Sequence, residues 1–492
     1  MTNETTRDEA RTRWLALLVL CAGDLMIVLD GTIVNVALPS IRDDLGFSQT
    51  SLAWVVNAYL LTFGGFLLLG GRLGDLFGAR RLFLIGITLF TLASLACGLA
   101  NSQETLIGAR AVQGLGGAIV SAVALALIMN MFTEPAERAK AMGVFGFVLS
   151  GGGTAGVLLG GVLTDALDWH WIFLVNIPVG IAVFALSVAL VPSIRPQDAS
   201  GRLDIAGAVT VTGALMLAVY AIVNGNETGW TSGETLGLLA VSVVLLGAFL
   251  VIEARVAAPL MPLSLFRIHS VSSANVVGVL MAAGMFAYFF FSALYLQQVL
   301  EYTPLEVGLA YLPSMLVWGG ASLYSDRIVM SRGIKPPLVG GLALMTIGLL
   351  LFARAPVDGD LLIDVLPAMV AIGLGAGIAF NPLLLAAMSG VGQDQAGLAS
   401  GVVNTAFMMG GALGLAILAS LAALRTDDLL AAGDGELVAI NSGYHIAFLV
   451  GAMFVVAAAA VGALILRSEA SAPAHNADDP AGVPQPAAAE QA

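Results

Sequence analysis

Apolar residues in this chain fall in runs of about 20, each bounded by a few polar, charged or glycine positions. A run of that length is what an α-helix needs to cross the hydrocarbon core of a bilayer. Fourteen such runs can be marked, at residues 15–38, 51–70, 82–100, 105–130, 139–163, 170–191, 204–224, 235–253, 271–296, 305–325, 336–353, 363–387, 397–421 and 443–466. Strands of a membrane barrel would show short segments of alternating polarity instead. The pattern predicts an all-α membrane protein, a bundle of 14 transmembrane helices.

Composition sharpens this. Of 492 residues, 58% are hydrophobic and 11% charged, outside the range of a soluble globular protein. The 58 glycines let helices approach closely where hydrophobic burial no longer drives association. A net charge of -13 argues against a nucleic-acid partner. Cys21 and Cys97 both lie in apolar runs, so neither a disulfide framework nor a metal site is expected. The histidines, His170, His269, His445 and His475, belong to no Ser/His/Asp or metal-ligand constellation, and no phosphate-cradling Gly-x-x-x-x-Gly-Lys-Ser/Thr loop is present. An enzyme or a nucleotide-driven pump is therefore not expected. The first run is too long and too acidic for a cleaved signal peptide and should be retained.

Sixteen of the 20 basic residues lie at the termini or in loops that follow even-numbered runs: Arg7, Arg11, Arg13, Arg72, Arg80, Arg81, Arg138, Lys140, Arg195, Arg202, Arg255, Arg267, Arg327, Arg332, Lys335 and Arg467. The other side has Arg42, Arg354 and Arg425, so the positive-inside rule puts both termini in the cytoplasm. Only the loop near Asp394, without a base, does not report. Gly143, Gly152, Gly153 and Gly156 recur as Gly401, Gly410, Gly411 and Gly414, which suggests a parallel internal repeat. The expected organisation is a cytoplasmic N-terminus (1–14), an N-terminal six-helix bundle (15–191) and a linker carrying helices 7 and 8 (192–270). A C-terminal six-helix bundle (271–466) and a disordered tail rich in Ala and Pro (467–492) follow.

The first run contains two acids, Asp24 and Asp30, the second within Leu29-Asp30-Gly31-Thr32-Ile33-Val34-Asn35-Val36-Ala37-Leu38-Pro39. A charge inside a membrane span costs at least a few kcal/mol and normally marks an ion or proton pathway. Arg110 is the one base placed within the membrane. It lies about 8 Å from the outer end of its helix and Asp30 about 12 Å from the outer end of its own, so the two are nearly level. Asp24 lies about 9 Å and about 240° of helix rotation away from Asp30, and should form a separate site. With no base of its own, Asp24 is the better candidate for reversible proton carriage, and Asp30 for holding Arg110.

Three stretches resemble motifs of the major facilitator superfamily. Gly71-Arg72-Leu73-Gly74-Asp75-Leu76-Phe77-Gly78-Ala79-Arg80-Arg81 is similar to its motif A, with Leu76 and Ala79 where bases are usual. Its glycines suggest a tight loop, and Asp75 a cap or ion pair that latches one conformation. Arg110-Ala111-Val112-Gln113-Gly114-Leu115-Gly116-Gly117-Ala118 resembles motif B. Gly152, Gly156-Val157 and Gly160-Gly161 resemble the antiporter motif C, with Val157 in place of its proline. Trp169-His170-Trp171-Ile172-Phe173-Leu174-Val175-Asn176-Ile177-Pro178 and Tyr295-Leu296-Gln297-Gln298 resemble the fourteen-span drug:proton antiporters of the EmrB/QacA type.

That resemblance, which runs from about Trp14 to Arg467, implies the major facilitator fold, two six-helix bundles with two inserted central helices. It implies a proton-coupled exporter of lipophilic, in part cationic, drugs or toxic metabolites in a bacterial cytoplasmic membrane. Substrate and protons would compete for a cavity between the halves. Candidate cavity residues are Asn35, Tyr59, Gln113, Phe286, Tyr288, Phe290 and Asn404, with lipid as the alternative environment of the aromatic run. Expected partners are a small-molecule substrate, protons and the bilayer, for a chain that can act as a monomer; no cofactor is expected beyond protons as coupling ion. The alternatives are an exporter or facilitator of one endogenous metabolite or lipid, or a non-transporting membrane protein.

Overall fold

In lipid an apolar run has no water to bond its peptide groups, so it satisfies them internally as helix. The computed structural model describes residues 2–193, 203–392 and 395–464; the 467–492 tail and the loop at Asp394 lie outside them. Among the described residues the runs become α1 (Thr2–Leu45), α2 (Ala53–Phe77), α3 (Ala79–Gly98), α4 (Gln103–Met131), α5 (Pro135–Ala166), α6 (Trp171–Leu190) and α7 (Ile205–Thr228). The rest are α8 (Gly233–Arg255), α9 (His269–Leu294), α10 (Pro304–Arg332), α11 (Lys335–Phe352), α12 (Leu366–Met388), α13 (Ala396–Ala432) and α14 (Glu436–Leu464). Thirteen are long and apolar enough to cross a membrane on those criteria alone. The fourteenth, α10, has 29 residues, a Thr303/Glu306 capping box at its start, and packs between α5 and α12.

The helices extend beyond the apolar runs. Most of the motif A stretch, expected as a loop, is the last turns of α2, and the chain reverses only at Gly78, whose φ of 91° suits a residue without a side chain. Proline bends the other expectation: Pro178 has no amide to donate to Leu174, and α6 is interrupted at Val175 before continuing from Asn176.

Packing repeats with an offset of eight helices. In the first half α1 packs on α4, α5 and α6, and α4 on α2 and α3, with α3 on α6; in the second, α9 packs on α12, α13 and α14, α12 on α10 and α11, and α11 on α14. Glycine makes the matching contacts possible. A Cβ on Gly156 would sit 3.0 Å from the Leu29 carbonyl, and one on Gly160 2.7 Å from that of Ile33; on the other side, Gly410 and Gly414 lie as close to Val279 and Ala283. The fold is that of two six-helix bundles with an inserted pair. Of this pair α7 packs on α2 and α13, whereas α8, among the described residues, packs on α7.

The halves meet along α2 with α13 and along α5 with α10. At the end opposite the basic loops they are closed: Gly161 of α5 abuts Pro304 and Leu305, Gly308 of α10 abuts Val157, and Gln297 donates to the Val36 carbonyl at 2.8 Å. Toward the basic end Gly401 still meets Leu68, but among the described residues nothing lies within 4 Å of a Cβ built on Gly143, Gly146 or Gly320. The seam between α5 and α10 is thus shut at the end opposite the basic loops.

This packing predicts that Gly160→Ala, which must push against backbone, lowers stability by about 1–3 kcal/mol. Gly143→Ala, facing open space, should be neutral or gain about 0.5–1 kcal/mol. Melting curves of the purified variants followed by size exclusion check both; equal melting of the two would contradict the packing described.

Candidate functional site

The charged residues of the spans separate into two sites on α1. At the first, Arg110 of α4 and Asp30 are both fully buried and joined by an ion pair through Nη1 and Oδ2. The remaining lone pairs and protons are taken up nearby. Gln113, one turn along α4 from Arg110, donates through Nε2 to Asp30 Oδ1 at 2.7 Å and to Ser94 Oγ at 2.7 Å, and its Oε1 accepts from Arg110 at 2.6 Å. Asn176 donates to Asp30 Oδ1 at 3.1 Å. The break before Asn176 thus sits where α6 contributes this donor. Arg110 Nε donates to the Val55 carbonyl at 3.0 Å, and the guanidinium carbon lies 4.3 Å from the centre of the Tyr59 ring and 5.6 Å from that of Phe173. Both Asp30 oxygens are occupied, so this carboxylate is built to stay bonded.

Asp24, nearer the basic end, is different. Its Oδ1 accepts a 2.5 Å hydrogen bond from Ser121 on α4, while Oδ2 is buried with no hydrogen-bond partner among the described residues. A buried carboxylate oxygen without a donor is costly as an anion and is relieved by a proton. The two acids are held by different residues of α4, as their rotation along α1 requires.

The second half has no counterpart to either site. The repeated glycine contacts align Leu25 with Val279, Gly116 with Gly375 and Gly86 with Gly341. The positions equivalent to Asp30, Arg110, Gln113 and Ser94 are then Gly284, Met369, Ile372 and Leu349, and Leu349 indeed packs against Gly284. The same fold carries a polar cluster in one half and an apolar one in the other.

The cavity candidates disperse. Tyr59 and Gln113 belong to the Arg110 cluster, and Asn35 is buried, donating to the Gly31 and Thr32 carbonyls of its own helix at 3.2 Å each. Tyr288 and Phe290, expected to face a cavity or lipid, do neither: Tyr288 donates to Ser314 at 3.2 Å and packs on Tyr311 and Phe352, and Phe290 stacks edge-on against Phe291. Both are buried because α9 is enclosed by α12, α13 and α14 rather than lying at the bundle's surface. Phe286 and Asn404 are half-buried; Phe286 covers Gly411 and tilts against Phe407 at 6.1 Å. Trp169 is likewise buried, donating to Asp44 at 3.0 Å, whereas Trp171 is exposed.

The motif A residues end α2 and begin α3. Gly71 faces open space among the described residues, Asp75 lies 3.9 Å from Arg72 one turn earlier, Gly78 makes the turn, and Arg80 donates to the Val188 carbonyl of α6. The N-cap of α3 is Gly78, with no side-chain cap bond. Arg81 follows on the exposed side of α3. Motif C divides its labour: Gly152, Gly156 and Gly160 face α1 between Leu25 and Ile33, whereas Gly161 faces α10 of the other half. One helix thus touches both the acid-bearing helix and the opposite bundle.

The buried pair predicts that Arg110→Ala costs about 3–5 kcal/mol by stranding the Asp30 charge, and that adding Asp30→Asn to that variant restores part of the loss. Thermal melts of the single and double variants test this; a double variant less stable than Arg110→Ala would mean that the pair is not the source of the cost.

Comparison with known proteins places this geometry. The family model described as Major Facilitator Superfamily matches residues 20–415. The chain is 41% identical over 470 residues to the puromycin resistance protein pur8 of Streptomyces alboniger, covering 93% of each chain. It is 38% identical over 465 residues to the cephamycin export protein CmcT of Amycolatopsis lactamdurans, again covering 93% of each. Among solved structures, that of the POT family transporter PepTSo superposes with a TM-score of 0.67 over 92% of this chain and 97% of that one, at 15% identity, a likeness of fold alone. With its repeated bundles and a family match over most of its length, the chain belongs to the major facilitator superfamily and is a membrane transporter rather than an enzyme.

Proposed function

We propose that the chain exports antibiotic-like small molecules from a bacterial cell in exchange for protons, by alternating access between its two halves. Export is supported by the relatives, one named for puromycin resistance and the other for cephamycin export. Proton exchange rests on one observation: Asp24 holds a buried carboxylate oxygen with no hydrogen-bond partner among the described residues, in the half where the membrane-embedded charges are gathered. The excess of Lys and Arg at one end supports cytoplasmic termini in the inner membrane. On that orientation the closed end of the α5–α10 seam faces away from the cytoplasm.

In this reading Asp24 takes and gives up the coupling proton, and substrate release and proton binding alternate. Asp30 with Arg110 acts as a fixed strut between α1 and α4. Motif C transmits the change, since α5 touches both the acid-bearing stretch of α1 and α10 of the other half. A panel of dyes and antibiotics assayed for pH-gradient-dependent efflux in inverted vesicles decides between one substrate and many.

Asp24→Asn is expected to abolish coupling to the pH gradient while substrate still binds, and Asp30→Asn chiefly to slow conformational exchange. Substrate-induced proton release from purified protein measures this; undiminished release from Asp24→Asn would exclude Asp24 as the carrier. At the cytoplasmic end, Asp75→Asn is expected to reduce transport severalfold at unchanged membrane abundance, because Asp75 stands at the turn between α2 and α3 where a cytoplasmic latch would form. Wild-type transport by that variant would leave motif A a topology signal only.

A further inference from the structure

The inserted hairpin contains a buried acid pair that plays no part in the site described above. Asp204 caps α7, its Oδ1 accepting from the Gly207 amide at 2.7 Å. Glu253, at the end of α8, accepts through Oε2 from the Met261 amide at 3.1 Å and so ties down the connection to α9. Each acid is 3% exposed. The second oxygens, Asp204 Oδ2 and Glu253 Oε1, are buried and have no hydrogen-bond partner among the described residues. They converge on one point: a Cβ built on Gly207 would lie 2.5 Å from the first and 3.0 Å from the second.

Nothing described neutralises them. Around the pair, α2 brings its apolar end, Leu69 and Leu73, and the connection brings Leu260. The charged groups on these elements point away: Arg72 and Asp75 of α2, Arg255 of α8, and Arg267 and His269 of the connection are all exposed, and none pairs with either acid. The part of α13 that packs here has no charged side chain among the described residues. Burial disfavours the ionised form of each acid, and two anions whose free oxygens face the same buried point repel, so one proton held between them relieves both costs.

We propose that Asp204 and Glu253 hold one proton between them, an O–H of one carboxyl donating to the free oxygen of the other, and so form a protonation site of the inserted hairpin separate from Asp24. The proton fastens the start of α7 to the end of α8 beside α2. Its loss leaves two anions facing each other across Gly207, and the basic end of the hairpin loosens. The proposal does not depend on what the protein transports or on whether transport is proton-coupled.

Infrared spectroscopy of the full-length protein in lipid nanodiscs tests it. The variants Asp204→Asn and Glu253→Gln keep the shape of each side chain and the carbonyl oxygen that accepts from Gly207 or Met261, so both should fold. At neutral pH the wild-type protein is expected to show a protonated-carboxyl stretch that disappears from each variant and that titrates away in alkaline buffer. Melting temperature should fall from mildly acidic to mildly alkaline buffer in the wild type, and Glu253→Gln should remove most of that fall. A difference spectrum between wild type and Glu253→Gln with no carboxyl band would overturn the proposal, since it would mean that both acids are ionised against a base such as Arg195 or Arg202. Restoration of alkaline melting temperature by sodium or calcium ions, at constant ionic strength, would equally overturn it in favour of a metal cation.

Discussion

The constraint on which the first bundle depends is the burial of one ion pair. Taking a carboxylate and a guanidinium out of water costs several kcal/mol each, and their mutual attraction offsets this only when the geometry is good and the leftover donors and acceptors are bonded. Around Asp30 and Arg110 that condition is met by Gln113, Asn176, Ser94 and the Val55 carbonyl, which come from four different helices. The ring of Tyr59 closes the remaining face. The arrangement therefore fixes α1, α2, α3, α4 and α6 relative to one another, and it does so by polar bonds where lipid supplies no hydrophobic force between helices.

The second bundle reaches the same packing without charge. With Gly284 and Met369 at the equivalent positions, α9 and α12 approach through side-chain packing, and the tyrosines of the bundle supply the polar bonds: Tyr288 to Ser314, and Tyr311 to the Phe289 carbonyl at 3.0 Å. A repeat that keeps its contacts with different chemistry separates what the shared fold needs from what is particular to one half. Glycine at matching positions is common to both halves. The buried acids Asp24 and Asp30 and the arginine Arg110 occur in one.

The fold was legible because lipid allows few choices. Runs of membrane-spanning length had to be helices, and the basic loops counted them. Helix ends were less legible: nothing in the composition of Gly71 to Phe77 says that α2 continues through it. The near-level placement of Asp30 and Arg110 followed from rise per residue, but Ser94 and Ser121 gave no signal, because a serine in an apolar span is unremarked until a carboxylate is found opposite. Asn176 had one, its place two residues before Pro178 in a span otherwise apolar. The aromatic run of α9 was misjudged for a physical reason: helix periodicity reports amphipathicity, and a helix surrounded by protein on all sides has none to report.

The position of α7 bears on how the two bundles can move. It lies over the α2–α13 seam, with Thr212 against Gly65 and Asn226 hydrogen-bonded to the Ser420 carbonyl at 2.9 Å. Without it the molecule would be a clam with two equivalent edges, either of which could part toward the lipid. With it one edge is splinted, and a splint across one edge turns symmetric rocking into the swing of a door. The hinge side is then α2, α7 and α13, and the α5–α10 edge, on which neither inserted helix packs among the described residues, is the free one.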